Sequence, residues 1–403
     1  MKAIVFIGSN KFGTSKEALT IAKDMGYFVV LLTNKMLHKE FLEVDQISYL
    51  ENLLDEEHIK EEITNLIENG KQICACISFV DPYVSFAAKI AMYFGLAEIS
   101  VEALNIMESK IKIREKLNNL PITPLYAVFQ PGDCQEGFIK KDHIIFPFII
   151  KLPISNGSKD VFYIDTLKGF ENAVSILNRK FPNSPLLIEE YLPGTQYIVE
   201  VLVYKTMCSI VGVIEQEVAY DRKFIVTGYK FPALLDETDY KKLTESVSSI
   251  IEEIGLISGS CHLEMKLVQG QWKLIEVNPR MSGGAMNRIL EEGTGINLVK
   301  EVINLYLGEE PILKETRKQF VYARYVTVGS QGRLFKVLGY DQAWLHEGVK
   351  YVHIIPVKGD LLSSPYSMGN RYACVVATSE TAEQAEKIAL AAAKELKFYL
   401  IPL

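Results

Sequence analysis

Residues 262–287, HLEMKLVQGQWKLIEVNPRMSGGAMN, carry the clearest chemical pattern in the chain. Apolar side chains occupy the odd positions Leu263, Met265, Leu267, Ile275 and Val277. Four even positions are polar: His262, Glu264, Glu276 and Asn278. Alternate residues of a strand face opposite sides, so the polar set can line a cleft. A hairpin with a loop of about three residues centred on Gly270 would place Glu264 opposite Glu276. The same register would place His262 opposite Asn278.

Two carboxylates and a carboxamide would then converge on one spot. Hard oxygen ligands of this kind suit Mg²⁺, which binds few protein carboxylates and is completed by substrate phosphates and water. Arg280 follows two residues after Asn278, where its planar cation could meet a phosphate or a carboxylate. The segment therefore predicts a site for magnesium and phosphate on a β-hairpin.

Two other segments could contact a nucleotide. Lys151 ends the apolar run PFIIK and precedes a Gly/Ser loop, so it can aim an ammonium and backbone N–H groups at phosphate oxygens. Glu189 and Glu190 end the apolar run LLIEE and can present a carboxylate and backbone groups to an adenine edge. Each pattern alone also fits an ordinary turn or surface loop.

The loop GSNKFGTS at residues 8–15 has the strand-to-helix position of a phosphate loop. However, Thr14 stands where that motif requires Lys, and Asn10 breaks the dinucleotide pattern GxGxxG. We therefore interpret the loop as a backbone turn that contacts a small substrate at the end of a strand.

Composition limits the class of protein. A length of 403 residues predicts two or three domains, and 48% hydrophobic with 23% charged residues is an ordinary globular balance. The net charge of −7 gives no reason to expect a nucleic-acid or anionic-membrane partner. The start MKAIVFIGSN has no signal-peptide layout, and no apolar run reaches the roughly 18 to 20 residues of a membrane span, so a cytoplasmic protein is expected. Cys74 and Cys76 have no second Cys or His pair that would complete a metal site, so reduced thiols are expected.

The remaining elements must position these groups. Strand-like and helix-like runs alternate over about the first hundred residues and predict a small parallel α/β domain. From Ser109 onward the pattern changes to a basic helix followed by short β-like runs. Residues 219–239 read as a loop of unclear structure. The tail has two alternating runs and a final Ala-rich helix.

The order of these motifs resembles the ATP-grasp superfamily. Lys110, Lys151 with its loop, residues 189–192 and the hairpin follow one another as in its carboxylate–amine ligase branch. That branch includes bacterial L-amino acid ligases and, more distantly, biotin carboxylase-like and purine-pathway members. The resemblance covers nearly the whole chain, and its most specific part is HxE…IEVNPRMSGG.

The resemblance implies an ATP-grasp fold of mixed α/β and α+β class. An N-terminal Rossmann-like parallel α/β domain would occupy residues 1–105, and the ATP-grasp domain residues 106–308, with a lid subdomain at about 122–203. A C-terminal mixed β domain at 309–403 would complete the protein.

The resemblance also implies how ATP is held. Lys110 and Lys151 would hold its phosphates from two sides, and a mobile loop would close over the triphosphate; the loop residues are Asn156, Gly157 and Ser158. Glu189 would accept from the adenine amino group, and the segment Glu190, Tyr191 and Leu192 would follow the ring edge with its backbone. Many relatives carry Glu at the ribose-binding position, where this chain has Gln196.

At the reacting end, the resemblance implies that Glu264, Glu276 and Asn278 bind Mg²⁺, for which Mn²⁺ could substitute. Arg280 would stabilise the transferred phosphoryl group or the acyl phosphate. His262 would act near the reacting carboxylate, although it also fits a structural hydrogen-bonding role. The turn Ser282, Gly283 and Gly284 would let the backbone approach a substrate carboxylate closely, although it also fits a plain turn.

The implied activity is that of an ATP-dependent carboxylate–amine ligase, which forms an amide through an acyl phosphate and releases ADP and phosphate. Amino acids are the expected substrates, and a homodimer is expected from the family. Two alternatives remain open at this point. One is a purine-pathway ligase or a bicarbonate-using carboxylase of the same superfamily, and the other is a nucleotide-binding regulator without turnover.

Overall fold

The computed structural model describes residues 1–35, 41, 43–96, 99–141, 145–153, 157, 159–221 and 223–403. Its first unit is a four-stranded parallel sheet in the order β3-β2-β1-β4. The strands are β1 (Lys2–Ile7), β2 (Phe28–Thr33), β3 (Gln46–Tyr49) and β4 (Gln72–Ile77). The connecting helices are α1 (Thr14–Asp24) and α2 (Glu56–Glu68), and α3 (Val84–Tyr93) follows β4. The predicted parallel α/β unit is confirmed.

Both faces of this sheet are covered, which explains its continuous apolar strands. In β1, Ile4 and Phe6 belong to the largest core of the molecule, whereas Val5 and Ile7 belong to a second core against α2 and α3. The largest core continues into the strands and helices of the central body, so the N-terminal sheet is packed firmly against the rest of the chain.

A second sheet of four antiparallel strands has the order β5-β8-β6-β7. Two helices precede it, α4 (Val101–Met107) and α5 (Lys110–Lys116). Its strands are β5 (Tyr126–Phe129), β6 (Phe148–Lys151), β7 (Val161–Ile164) and β8 (Leu186–Glu190). The helices α6 (Gln135–Lys141) and α7 (Leu167–Lys180) lie within the same stretch. Phe129, Phe148 and Phe170 form the centre of its own small core.

The central sheet has eight strands in the order β13-β12-β9-β10-β11-β14-β18-β16, each paired antiparallel with its neighbours. They are β9 (Gln196–Tyr204), β10 (Met207–Asp221), β11 (Lys223–Phe231), β12 (Gly259–Val268), β13 (Gln271–Asn278), β14 (Phe320–Val326), β16 (Val349–Ile354) and β18 (Ala373–Ser379). The small third sheet contains β15 (Gly332–Leu338), β17 (Leu361–Leu362) and β19 (Lys397–Ile401). The helices of this half are α8 (Glu237–Ile254), α9 (Met286–Thr294), α10 (Leu298–Tyr306), α11 (Tyr340–Trp344) and α12 (Ala382–Glu395).

Two features differ from the sequence-based expectations. The prediction of an irregular loop over residues 219–239 is wrong, because β11 lies there and links β10 to β14. Strand β9, which the expected lid range included, lies in the central sheet, and the central sheet also crosses residue 308 through β14. The domain bounds therefore remain predictions. Among the described residues, no helix is long and apolar enough to cross a membrane.

The start of α1 packs closely against the turn that follows β13, and the contact is made by a glycine. Gly13, at the start of α1, has φ 87° and ψ −164°, a region that only glycine adopts readily. A Cβ at this position would lie 2.8 Å from the backbone nitrogen of Gly284. Glycine is therefore required both for the backbone conformation and for the close approach of the two loops.

We expect Gly13→Ala to lower the free energy of unfolding by more than about 2 kcal/mol, because it combines backbone strain with a backbone clash. Gly26→Ala is the matched control, since Gly26 also has φ +87° but a Cβ there would meet nothing within 4 Å. Gly26→Ala should lower the free energy of unfolding by about 1 kcal/mol. Urea denaturation of both variants measures the difference, and equal costs would show that the contact with Gly284 contributes nothing.

Candidate active site

One cavity of about 340 Å³ lies between the sheet β5-β8-β6-β7, which we call the lid-like sheet, the hairpin β12–β13 and the C-terminal part of the chain. It is lined by every predicted site residue that the structure describes: Lys110, Lys151, Gly157, Glu189, Glu190, Tyr191, Leu192, Gln196, His262, Glu264, Glu276, Asn278, Arg280, Ser282, Gly283 and Gly284. Asn156 and Ser158 lie outside the described residues. Residues that lie more than 170 positions apart in the sequence, such as Lys110 and Gly284, thus line one cavity. Their individual roles remain predictions.

The hairpin β12–β13 has the predicted pairs, but it reaches them by a different route. Glu264 lies opposite Glu276, and His262 lies opposite Asn278. The loop has two residues rather than three, because Val268 pairs with Gln271. Between the loop and the polar pairs, the register shifts by one residue at a β-bulge.

The bulge residue is Ile275, which has no partner on β12. Trp272 and Leu274 are buried on one side of it and Val277 on the other, so the core-facing positions change from even to odd at the bulge. Ile275 itself lines the cavity, and the expectation that it belongs to the core is wrong. Without this extra residue, Glu276 would face the core.

A buried ionic cluster holds the lid-like sheet to the hairpin. Glu189 accepts from Nε of Arg114 at 2.5 Å and forms an ion pair with Nζ of Lys151 at 2.6 Å. The carbonyl of Ile275 accepts from Nη2 of Arg114 at 2.6 Å and from Lys151 at 3.3 Å. Burial alone would raise the pKa of Glu189, but the two cations outweigh it and lower that pKa. Glu189 is therefore a carboxylate.

Arg114 belongs to the basic helix that the sequence predicts after Ser109, which is α5. The structure places it fully inside, at 1% exposure, where it also donates to the carbonyl of Leu274 at 3.0 Å. Its helix begins at an N-cap formed by Ser109, whose hydroxyl accepts from the N–H of Lys112. Arg114 thus positions Glu189 and the bulge.

The pKa values of the two opposed glutamates of the hairpin are shifted in opposite directions. Nζ of Lys110 lies 3.2 Å from Oε1 of Glu276, and burial of Glu276 is outweighed by Lys110 and Lys151, so its pKa is lowered. Burial and the neighbouring Glu276 raise the pKa of Glu264 to about 7. Gln196, which stands at the ribose-binding position of the family, donates a hydrogen bond from Nε2 to Glu264 at 3.0 Å. Its carboxamide therefore contacts the hairpin.

The predicted adenine strand leaves a donor available. Glu190 is held by Leu125, whose N–H donates to the Glu190 carboxylate and whose carbonyl accepts from the Glu190 N–H, both at 2.9 Å. The carbonyl of Leu192 accepts from Lys266 at 2.8 Å. Within the described chain, the N–H of Leu192 donates to no protein acceptor. This N–H can meet a ring nitrogen, and Lys266 lies 5.5 Å from the ring centroid of Tyr191.

His262 has a defined tautomer. Burial, followed by the charge of Arg280, lowers its pKa to about 4, so the ring is neutral at pH 7. Its Nδ1 lies 2.7 Å from the carbonyl of Arg280, which requires the proton on Nδ1. Its Nε2 therefore accepts from Nδ2 of Asn278 at 3.2 Å. Because Asn278 uses Nδ2 in this bond, its Oδ1 remains as an acceptor.

Arg280 has a partner that the sequence did not suggest. It forms a short ion pair with Asp81, whose Oδ2 also accepts from Nε at 3.0 Å. Asp81 lies between β4 and α3, which begins at Val84 after Tyr83. The available signal was an Asp close after a buried parallel strand, at the edge where such sheets bind ligands.

The turn after Arg280 rests on a second unexpected carboxylate. The N–H of Ser282 donates to Oε1 of Glu200 at 2.9 Å, and Glu200 is completely buried in β9. Its Oε2 and the Ser282 hydroxyl have no partner among the described residues. Burial raises the pKa of Glu200 to about 7. A lone Glu within the apolar run YIVEVLVY was the signal that could have indicated it.

Comparison with known proteins gives the family. A model of the ATP-grasp domain matches residues 144–288, which include the lid-like sheet from β6 onward and the hairpin. A model of the L-amino acid ligase C-terminal domain 2 matches residues 324–400. The chain contains an ATP-grasp domain and an L-amino acid ligase C-terminal domain. These two matches place this ATP-grasp protein with the carboxylate–amine ligases, which are ADP-forming enzymes that use ATP.

Individual relatives agree with this placement. The solved structure of L-amino acid ligase from Bacillus licheniformis has the same fold, with a TM-score of 0.83 at 20% identity over 100% of this chain and 99% of that chain. The L-arginine-specific L-amino acid ligase of Bacillus subtilis is 20% identical over 294 residues, 70% of each protein. Carnosine synthase 1 of Gallus gallus is 23% identical over 337 residues, which are 77% of this chain and 36% of that protein. The ATP-grasp protein thus spans about a third of the synthase.

We expect Glu200→Gln to stabilise the ATP-grasp protein at alkaline pH. The pKa of Glu200 rises from 4.5 to about 7 on folding, so the folded state binds the extra proton and stability is lost as pH rises through this window. Gln at this position retains the acceptor for the Ser282 N–H without the charge. Denaturant titration should show the variant more stable than the wild type by up to about 3 kcal/mol at pH 8 and equal to it near pH 4. Glu310→Gln, on the exposed surface, is the control, and a pH-independent difference at Glu200→Gln would contradict the assignment.

Proposed function

We propose that the protein is an ATP-dependent ligase that joins the carboxylate of one small acid, an amino acid in the simplest case, to the amine of another. The opposed pair Glu264 and Glu276, next to Arg280, carries this proposal. The same cavity is lined by the two lysines and the adenine strand, by the glycine turn, and by residues of the C-terminal part. ATP and a second substrate can therefore meet at the hairpin.

The chemistry requires such a meeting point. A carboxylate is a poor electrophile, so one of its oxygens first attacks the γ-phosphorus of ATP, and ADP leaves with the electron pair of the broken bond. The amine nitrogen then attacks the acyl carbon, the bond to the phosphate oxygen breaks, and phosphate leaves. The amine proton passes to phosphate or water. The acyl phosphate must be kept from water until the amine arrives, which suits an enclosed cavity.

The nucleotide half of the cavity fits this sequence of steps. Lys110 and Lys151 would face the phosphates, Glu189 would accept from the adenine amino group, and the N–H of Leu192 would donate to the ring. Gly157, whose carbonyl accepts from the N–H of Met368 at 3.3 Å, belongs to the loop that would cover the triphosphate. Cations on two sides of the phosphates stabilise the charge of the transferred group.

The donor set of the hairpin fits a divalent cation. Glu264 and Glu276 face each other, and burial together with the neighbouring Glu276 raises the pKa of Glu264, so a bound cation would favour its charged form. Together with Oδ1 of Asn278, they supply the few oxygen ligands that Mg²⁺ takes from proteins, and Mn²⁺ accepts the same ligands. When bound, the metal neutralises and orients the triphosphate.

Two residues would act on the transferred group from the protein side. Arg280 would contact the γ-phosphoryl group or the acyl phosphate, while Asp81 fixes the plane of its guanidinium. His262, with both ring nitrogens engaged, would be a positioning residue that orients Asn278. The turn at Ser282 would hold substrate close to them.

The names of the relatives support amide formation. An amino acid ligase, a carnosine synthase and a dapdiamide synthase are among the similar proteins. These names describe those proteins, and they make pairs of amino acids the first substrates to test here. Biotin carboxylase-like and purine-pathway structures share the fold, so bicarbonate and phosphoribosylamine belong in the same screen.

The test measures phosphate release from ATP over pairs of amino acids and small acids, with mass detection of the product. We expect amine-dependent turnover and a new amide, both abolished by EDTA. Glu276→Gln should lower kcat/KM by at least about 100-fold, about 3 kcal/mol, because it removes the charge that pairs with Lys110 and faces the metal.

Glu310→Gln, an exposed substitution of the same kind, should leave the rate unchanged. Turnover only with bicarbonate or phosphoribosylamine would replace the proposed substrates. ATP binding without turnover in any mixture, together with no effect of Glu276→Gln on residual activity, would remove the catalytic proposal and favour a regulator.

A further inference from the structure

A second arginine lines the cavity on the side of the C-terminal part of the chain. Arg371 follows a short 3₁₀ turn, Met368–Asn370, and lines the cavity beside Tyr229 and Met368. Its guanidinium lies 3.9 Å from the ring centroid of Tyr325, donates from Nε to the carbonyl of Met368 at 3.2 Å and from Nη1 to the Tyr229 hydroxyl at 3.3 Å.

Arg371 has no acidic partner among the residues that the structure describes. This distinguishes it from Arg280, which is neutralised by Asp81. A guanidinium is permanently charged. Its partial burial in the cavity wall without a counter-ion is unfavourable until an anion binds. A carboxylate is the anion whose geometry a guanidinium matches.

The position of Arg371 is fixed by its own segment. The side chain of Asn370 accepts from the N–H of Ser367 at 2.9 Å and donates to the Tyr372 hydroxyl at 3.0 Å. Ser367 and Asn370 together form a capping box around the 3₁₀ turn. A side chain held this way is oriented before any ligand arrives, which lowers the entropic cost of binding.

Tyr325 connects Arg371 to the glycine turn. The guanidinium of Arg371 lies over the ring of Tyr325, and the Tyr325 hydroxyl accepts a hydrogen bond from the N–H of Ala285 at 3.1 Å. In the described chain, the N–H groups of Gly283 and Gly284 donate to no protein acceptor. A Cβ at Gly283 would meet nothing within 4 Å, so the open side of this turn is available to a ligand. Arg371 and two backbone donors therefore border the same end of the cavity.

The walls next to this end are apolar. Val218, Val226 and Phe224 of the strands β10 and β11 line the cavity together with Met368. The sulfur of Met368 accepts from the N–H of Val226 at 3.5 Å, so the two walls touch. An apolar wall favours a ligand with one compact charge and a hydrocarbon part over a phosphorylated sugar, whose hydroxyls would lose water without gaining partners.

We propose that Arg371, with the N–H groups of Gly283 and Gly284, binds the unreactive carboxylate of the amine substrate, which is an α-amino acid with an apolar side chain. This inference rests on the proposed ligase function and names the class of its second substrate. Arg280 serves the carboxylate that is activated, and Arg371 serves the carboxylate that remains free in the product. The amine is then held by its carboxylate at a fixed distance from the acyl phosphate.

The experiment compares each amino acid with its amide, which lacks only the negative charge. L-Leucine, L-methionine and L-phenylalanine and their amides are titrated by calorimetry into the full-length protein with ADP and Mg²⁺, and the same six compounds are tested as amine substrates. We expect the wild type to bind at least one acid about 10- to 100-fold more tightly than its amide. Arg371→Met should abolish this preference, and Arg371→Lys should retain part of it.

Arg333→Met is the matched control, because Arg333 is exposed on β15 and should keep the full preference. The KM for ATP and the melting temperature show whether Arg371→Met remains folded, and Arg371→Lys carries the test if it does not. Equal binding of all three acids and their amides to the wild type, or an unchanged preference in both Arg371 variants, would overturn the inference. Arg371-dependent binding of inorganic phosphate, tighter than that of any acid, would also overturn it.

The binding measurement tests the carboxylate site, and the turnover measurement tests the ligase function on which this inference rests. Turnover in which amides replace acids without loss would leave the ligase standing and remove the carboxylate site. An Arg371-dependent preference for acids in binding, without turnover in any mixture, would leave the carboxylate site standing and remove the ligase.

Discussion

The β-bulge at Ile275 is the feature on which the site depends. It changes the side of the strand that faces the core, so Trp272 and Val277 can both be buried while Glu276 faces the cavity. The same irregularity leaves the Ile275 carbonyl pointing out of the ladder, where Arg114 and Lys151 donate to it. One inserted residue thus creates both the carboxylate pair and the acceptor that fixes the cations behind it.

The cations at the bulge also decide where the lid-like sheet lies. Arg114 comes from α5, Lys151 from β6 and Glu189 from β8, and the three meet at the hairpin. Removal of one partner from such a buried set leaves an uncompensated charge that costs about 3–5 kcal/mol. The same ionic cluster therefore forms part of the cavity wall and holds the two sheets together.

How much could be predicted from sequence depended on the range of each interaction. Local alternation and turn residues were enough for the pairs Glu264–Glu276 and His262–Asn278, and the family order of motifs added Lys110 and Lys151. The bulge escaped because a two-residue loop plus one extra residue gives the same pairs as a three-residue loop. Asp81 and Glu200 escaped because their partners lie 199 and 82 positions away. Strand β11 escaped because its polar start resembles a turn, and only pairing with β10 and β14 makes it a strand.

The pairing of charges in the cavity constrains how ATP can enter. Lys110 faces Glu276, Lys151 faces Glu189 and Arg280 faces Asp81, so each of these cations already has a carboxylate. A triphosphate that arrived without a cation would have to compete with these three carboxylates for the same positive groups. It would also lie near the carboxyl group of Glu264. Glu264 and Glu276 would hold a divalent cation that entered with the triphosphate, and Lys110 would then be free to turn from Glu276 toward the phosphates. The carboxylates that neutralise the lysines in the free protein would thus make its affinity for the nucleotide depend on the metal.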